Sequence, residues 1–314
     1  NGGARAIADL IRGGRSTITT WYIAGNRIDA EGLSHVCDAL AEDTQVDMLW
    51  LKRNPIRPAG AVHLARMLST NRLIHTLDLN NVGLLDEGAI TILASLGDNG
   101  GTLRHLYMDG NGLGQAAAAA IGGHLAAGSQ LESLVVSANR FGDEGAAAIA
   151  AGLEKDRHLR RLGLASNRIG PEGAAALAEA LRAEGSLLAY LDLGYTKATA
   201  ALGELGNGAG DAGAAAFAAA LKTNTSLRSL ELIHNGITQR GVDALLAILR
   251  TYNFSLVSLK LSSWGITRND IAQNELDGLL RRNLNAVPAD ELPEVAEAHL
   301  PKHVRDIYSV YRVA

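Results

Sequence analysis

One motif recurs nine times along this chain and dictates what it can fold into. Strings such as ITTWYIAGNRI from Ile18, VDMLWLKRNPI from Val46 and LRHLYMDGNGL from Leu103 share the pattern L-x-x-L-x-L-x-x-N-x-L, and their starts are separated by 28, 28, 29, 28, 28, 29, 39 and 29 residues. A fixed period of this length marks a stack of units, each too small to bury its own apolar face. Within the motif, apolar residues alternate as they do in a strand with one buried face. Each unit continues with a glycine (Gly32, Gly60, Gly88, Gly145, Gly173, Gly213 or Gly241) and apolar residues at steps of four, such as Val36 and Leu40 or Ile149 and Leu153. Steps of four share one helix face. Each unit is therefore predicted to be a short strand, a tight loop and a helix of about three turns.

Parallel strands sit ~4.8 Å apart, whereas packed helices need ~8–10 Å between axes. Stacking both layers in register forces curvature. The expected fold class is an α/β solenoid: a horseshoe of about nine 28–29-residue repeats, with parallel strands on the concave face and helices on the convex face. Runs of alanine (116–120, 214–216 and 218–220) suit close packing of the outer helices.

These strings resemble the ribonuclease-inhibitor-like leucine-rich repeats. The resemblance covers residues 1 to about 283 and specifies a fold rather than an activity. An asparagine recurs at the ninth motif position: Asn26, Asn54, Asn111, Asn139, Asn167, Asn207 and Asn235. An inward amide both donates and accepts, so a column of amides can link successive turns. Val82 and Trp264 interrupt the column.

Residues 1–17 read as the helical half of a preceding repeat, with Gly3, Ile7 and Ile11 at the four-residue step, which predicts that the natural protein extends upstream. Residues 18–282 form the solenoid, with an insertion at about 196–206 (TKATAALGELG) at the rim of the concave face. That insertion is either a binding device or a tolerated lengthening of a surface loop. The period fails in 283–314, which reads as a C-terminal helical cap with Val304, Ile307, Tyr308 and Tyr311 on one face, or as a docking segment.

Composition excludes several classes. Hydrophobic residues make up 47% of the 314, ample for a core, and no apolar run is long enough to span a membrane. The single cysteine, Cys37, excludes a disulfide framework and is expected to be half-buried and inert. A formal charge of −4 argues against a general nucleic-acid surface. An excess of arginine over lysine suggests a GC-rich, bacterial source. The expected location is the cytoplasm, or a host cell if the chain belongs to a delivered effector.

On each strand the residues between the leucines face outward. They are Tyr22, Trp50, Asp78, Tyr107, Val135, Gly163, Asp192, Glu231 and Lys260 in one row, and Thr20, Met48, Thr76, His105, Ser133, Arg161, Tyr190, Ser229 and Ser258 in the row before it. Aromatics are scarce in this chain, at 4%. Tyr22, Trp50, Tyr107 and Tyr190 nevertheless fall on these outward positions, with Tyr195 just beyond its strand. Such a set on a rigid sheet has the character of an interface hot spot. Lys52, Arg53, Asp78, His105, Asp109, Asp192 and Glu231 add polar groups of both signs, which favours a protein partner over nucleic acid.

Enzyme motifs are weak. Gly208, Gly210 and Gly213 match a dinucleotide fingerprint but lack the strand that must precede it. Asp78, His105 and Ser133 lie on successive strands, yet Asp78 sits two residues out of level, too far for a triad. No histidine pairing has zinc spacing. No catalytic residue, cofactor, metal or membrane partner is expected. The chain is thus predicted to bind a protein partner on its concave face. The alternatives are a recognition or sensor region of a larger bacterial effector or immune-type protein, or, since the resembling family includes a GTPase-activating member, a regulator of a GTPase.

Overall fold

The computed structural model describes residues 1–14, 17–97, 101–196, 198–261 and 270–288. Nine strands, β1 (Thr20–Tyr22), β2 (Met48–Trp50), β3 (Thr76–Asp78), β4 (His105–Tyr107), β5 (Ser133–Val135), β6 (Arg161–Gly163), β7 (Tyr190–Asp192), β8 (Ser229–Leu232) and β9 (Ser258–Leu261), form one parallel sheet in chain order. Helices α1 (Gly2–Arg12), α2 (Ala30–Leu40), α3 (Arg57–Thr70), α4 (Leu85–Gly97), α5 (Gln115–Ala126), α6 (Gly142–Leu153) and α7 (Pro171–Ala180) alternate with them. They are followed by the short α8 (Ala198–Ala201), then α9 (Gly210–Leu221), α10 (Gln239–Thr251) and α11 (Asp270–Asn285). The chain is an α/β leucine-rich-repeat horseshoe, as its period predicts. Each strand lies where the motif places it, and equivalent motif positions are paired throughout, for example Leu49↔Leu77 and Leu77↔Leu106.

The middle leucine of successive strands, from Leu49 and Leu77 to Leu191 and Leu230, is fully buried between sheet and helices. Neighbouring outer helices touch through glycine. A β-carbon on Gly122 of α5 would strike the carbonyl of Ala148 in α6, and one on Gly152 would strike the backbone of Gly122.

The asparagine column works as its chemistry requires. Asn54 Oδ1 accepts the N–H groups of Asn26 and Ile28 at 2.9 and 3.0 Å, and its amide donates to the carbonyls of Ile23 and Leu51. Asn111 and Asn139 repeat this link. At the Val82 break the donors differ as well. Ile56 turns its own N–H to the carbonyl of Asn54 at 2.8 Å, so one of the two donors that an asparagine at 82 would serve is committed elsewhere. Trp264 lies outside the described residues.

In α1 the buried residues are Ala4, Ala8 and Ile11, and Ile7 packs half-buried against the core. One expectation is corrected. Cys37 is fully buried rather than half-buried, and burial pushes its thiol well above the ordinary range. At the far end, α11 runs through the expected boundary at 283. Its Arg282 donates to the carbonyl of Leu249 at 2.7 Å, and Asn283 donates to that of Leu256 at 2.7 Å. Residues 289–314, with Val304, Ile307, Tyr308 and Tyr311, lie outside the described residues.

Candidate functional site: the concave face and its rim

The sheet register brings the outward residues into rows across the concave face. Tyr22, Trp50, Asp78, Tyr107, Val135, Gly163, Asp192, Glu231 and Lys260 are successive partners in one row. The sequence expectation of exposed aromatics needs correction here. Trp50 is 1% exposed and Tyr107 3%, because the side chains cover one another. The ring of Trp50 lies 6.1 Å from that of Tyr107 at 15°, and 6.1 Å from that of Tyr22 at 41°. Concave curvature crowds side-chain tips together, so large rings on this face meet instead of standing in solvent.

Asp78 lies between Trp50 and Tyr107 in the register and is buried beneath the stack. Burial pushes its carboxyl up to about 6, partly countered by the Asn80 N–H and the charge of Lys52. Asp109, half-buried one row further on, is pushed up to about 7 by burial, with Asp78 and Asp192 adding like charge; its carboxylate accepts the Ser137 N–H at 2.6 Å. Among the expected site residues, Tyr22, Lys52, His105, Asp109, Tyr190, Asp192 and Glu231 are half-exposed, while Arg53 and Tyr195 are exposed. The ring of His105 meets that of His75 edge-on at 6.3 Å, and Ser133 is its direct neighbour across the sheet. Asp78 is partnered with Tyr107 instead, out of level with His105.

The other half of the face is a charged network. Tyr190 Oη donates to Glu231 Oε1 at 2.7 Å, and Lys260 Nζ reaches the same oxygen at 2.5 Å. The Arg161 guanidinium lies 4.1 Å above the Tyr190 ring. Asp192 beside them is pushed up to about 6 by burial and by the charge of Glu231. Arg161 and Lys260 belong to this network as fully as the expected residues do. Each is an outward strand residue, which is the signal that marks it.

The insertion is held down, not loose. Glu204, with its side chain 4% exposed, accepts from Arg140 at 2.7 Å and from Arg168 at 2.9 Å. Thr199 donates to Ser166 at 2.7 Å. Leu202 rests on Gly110, where a β-carbon would come within 2.8 Å of it. Asn207 returns the chain to the column, accepting from Asn167 and Ile169 at 2.8 and 2.9 Å. Tyr195 leans edge-on against His234 at 5.4 Å. Neither Glu204 nor its arginine partners stood out in the sequence, because the ion pairs join residues 64 and 36 positions apart. Among the described residues, no group of histidine, cysteine or acidic side chains is arranged to hold a metal, and no helix is long and apolar enough to cross a membrane.

The leucine rich repeat family model matches residues 16–37, 130–150, 155–178 and 223–246. Ribonuclease inhibitor from Sus scrofa is 28% identical over 107 residues, covering 34% of this chain and 23% of that protein. The inhibitor from Mus musculus is 32% identical over 87 residues, covering 27% of this chain and 19% of that protein. The alignments thus span about a fifth of these relatives' length. Among solved structures, the actin-binding site 2 of leiomodin-1 aligns with a TM-score of 0.41 at 20% identity, over 54% of this chain and 89% of that one. An internalin from Listeria monocytogenes aligns with a TM-score of 0.35 at 16% identity, over 88% and 92%. Period, register and asparagine column define a leucine-rich-repeat solenoid. Within that class, its repeats are similar to those of ribonuclease inhibitor.

Proposed function

We propose that this chain is a protein-binding module that holds a partner protein against its concave face. The observation that carries the reading is the network of Arg161, Tyr190, Glu231 and Lys260. Four side chains from four successive strands are fixed against one another while still half-exposed. Groups already held in place lose little entropy when a partner arrives. Both charge signs lie within one network, which suits a protein surface better than the uniformly anionic backbone of a nucleic acid.

In this reading Tyr22, Lys52, Arg53, His105, Asp109, Tyr190, Asp192, Tyr195 and Glu231 supply contacts. Trp50, Tyr107 and Asp78 form the floor beneath them. Stable partners are first captured from lysate of the source cells and identified by mass spectrometry. Their affinity is then measured against Lys52→Glu and Asp192→Lys, both on half-exposed positions. Each exchange is expected to weaken binding at least ~10-fold if its charge contacts the partner. A partner that binds both variants as it binds the parent, with circular dichroism unchanged, removes the concave face from consideration.

A further inference from the structure

At the strand-to-helix rim, two residues with side chains stand on left-handed backbones that later repeats give to glycine. The third residue after the column position is Arg57 in the second repeat and Leu85 in the third, and Gly142 and Gly210 in later ones. All four have left-handed backbones, with φ of 60, 53, 61 and 59°. All four also send the N–H to the carbonyl at the next repeat's column position, namely Val82, Asn111, Asn167 and Asn235. The sites are structurally equivalent, and glycine is the residue that fits them without strain. Arginine and leucine are strained there, and Leu85 is also 54% exposed. Strain retained at an exposed site points to a use for the side chain.

The insertion brings more apolar surface to the same place. A β-carbon on Gly112 would lie 3.3 Å from Leu85, and one on Gly110 would lie 2.8 Å from Leu202, so both leucines lean on the turn at 110–112. Leu202 remains 39% exposed and Leu205, three residues on, 62% exposed. Arg57 lies on the other side of Leu85, with its stem 3.8 Å from where a Gly83 β-carbon would be. Beyond it, Arg27 is exposed on a left-handed backbone.

Arginine predominates at the start of this rim, and three of the carboxylates beside it are already committed. Asp86 accepts from Gly114 N–H at 2.6 Å, Asp143 accepts from Gly170 N–H at 2.7 Å, and Glu204 is held by Arg140 and Arg168. Arg27 and Arg57 have no carboxylate partner among the described residues. The result is a track that is cationic at the first two repeats and apolar over the third and fourth.

We infer that this rim is a second docking surface, and that its occupant is a segment of a partner protein with acidic residues followed by leucine-type residues. Charge complementarity sets the order: the acidic end lies over Arg27 and Arg57, and the apolar end over Leu85, Leu202 and Leu205. This surface is separate from the concave network, so either can fail alone.

The test uses a fluorescein-labelled peptide with a glutamate block followed by a leucine-bearing block, and a twin in which lysine replaces glutamate. The whole chain is expected to bind the acidic peptide, more weakly as salt rises, and to discriminate against the twin. The double variant Arg57→Gly, Leu85→Gly is expected to lose about tenfold in affinity while melting no lower than the parent, since glycine relieves the backbone. Leu205→Ser is expected to weaken binding with an unchanged melting temperature. Equal binding of the two peptides, no binding of the acidic one, or full affinity in both variants overturns the inference. Binding to phosphatidylserine vesicles but not to the peptide would assign the rim to a lipid surface. A dimer in sedimentation that Leu205→Ser dissociates would assign it to a second copy. Either result also overturns the inference.

Discussion

Trp50 and Tyr107 stand on strands that are not neighbours, yet their rings stack 6.1 Å apart across the intervening Asp78. The pair is thus a structural element as well as part of a face. Trp50→Ala opens the stack and exposes a carboxylate adapted to burial, and is expected to cost about 3 kcal/mol. Trp50→Phe keeps an aromatic ring and removes a buried indole N–H that has no protein partner. Its expected cost is under ~1 kcal/mol. Urea unfolding of both variants checks this. Similar losses for Ala and Phe would mean that the stack contributes nothing.

The buried carboxyls on the concave face set a pH dependence of unusual sign. Asp78 and Asp192 are pushed up to about 6 and Asp109 to about 7, in each case chiefly by burial. Unfolded aspartate titrates near 3.9. Between these values the folded chain binds more protons than the unfolded chain, so stability falls as pH rises. The contribution is fully present below about pH 4 and is lost as pH climbs through 6 to 7. Glu204 and Asp211 act oppositely. Glu204 is held low by Arg140 and Arg168 against the effect of burial, and Asp211 by Thr238; their contributions are lost only below the ordinary carboxylate range. The urea midpoint should therefore be higher near pH 5 than near pH 7.5. Asp109→Asn should flatten that slope, and a slope left intact in this variant would exclude Asp109 as its source.

The insertion should behave as a docked element. Glu204 is its anchor, and Glu204→Ala leaves Arg140 and Arg168 without their shared acceptor. The ion pair is half in solvent on the arginine side, so the expected loss of global stability is small, about 1 kcal/mol. The local effect is larger. Amide hydrogen exchange across 198–206 should rise well above that of the neighbouring helix α9. Unchanged protection there would show that Thr199 and Leu202 hold the insertion without the ion pairs.

The fold was legible because it depends on residues that repeat. Period, strand positions and the column of Asn54, Asn111, Asn139 and their equivalents are all local pattern. The candidate surface was legible only as a set of directions. Trp50, Asp78 and Tyr107 do point to the concave side, but their burial follows from curvature, which a single repeat does not contain. Glu204 was hidden for another reason. Its partners Arg140 and Arg168 lie in earlier repeats, and nothing in the insertion's own sequence says which way it folds. The diversion of the Ile56 N–H beside Val82 belongs to the turn at Asn54–Ile56, which the motif alone does not show.

A second polar ladder at the helix-to-strand side offers a stabilising exchange. Asn71 donates to the carbonyl of Leu40 at 2.7 Å and accepts the N–H groups of Leu73 and Ile74 at 2.8 Å. Asn224 donates likewise to Leu181, and Asn253 to Leu221, each closing the end of the preceding helix. Asp156 occupies the same place with half the chemistry. Its Oδ1 accepts from His158 and Leu159 at 2.9 and 2.6 Å, but its buried Oδ2 has no protein partner, and a carboxylate cannot donate to the helix end. Asp156→Asn supplies the missing donor without changing shape. One recovered hydrogen bond at a buried acceptor is worth about 1 kcal/mol, which for a chain of this size raises the melting temperature by roughly 2 °C. The reverse exchange, Asn253→Asp, should lower it by more, because it removes the donors serving Leu221 and Asn224 and buries a charge. Calorimetry of the two variants beside the parent decides the matter, and a destabilised Asp156→Asn would show that the carboxylate is needed where it stands.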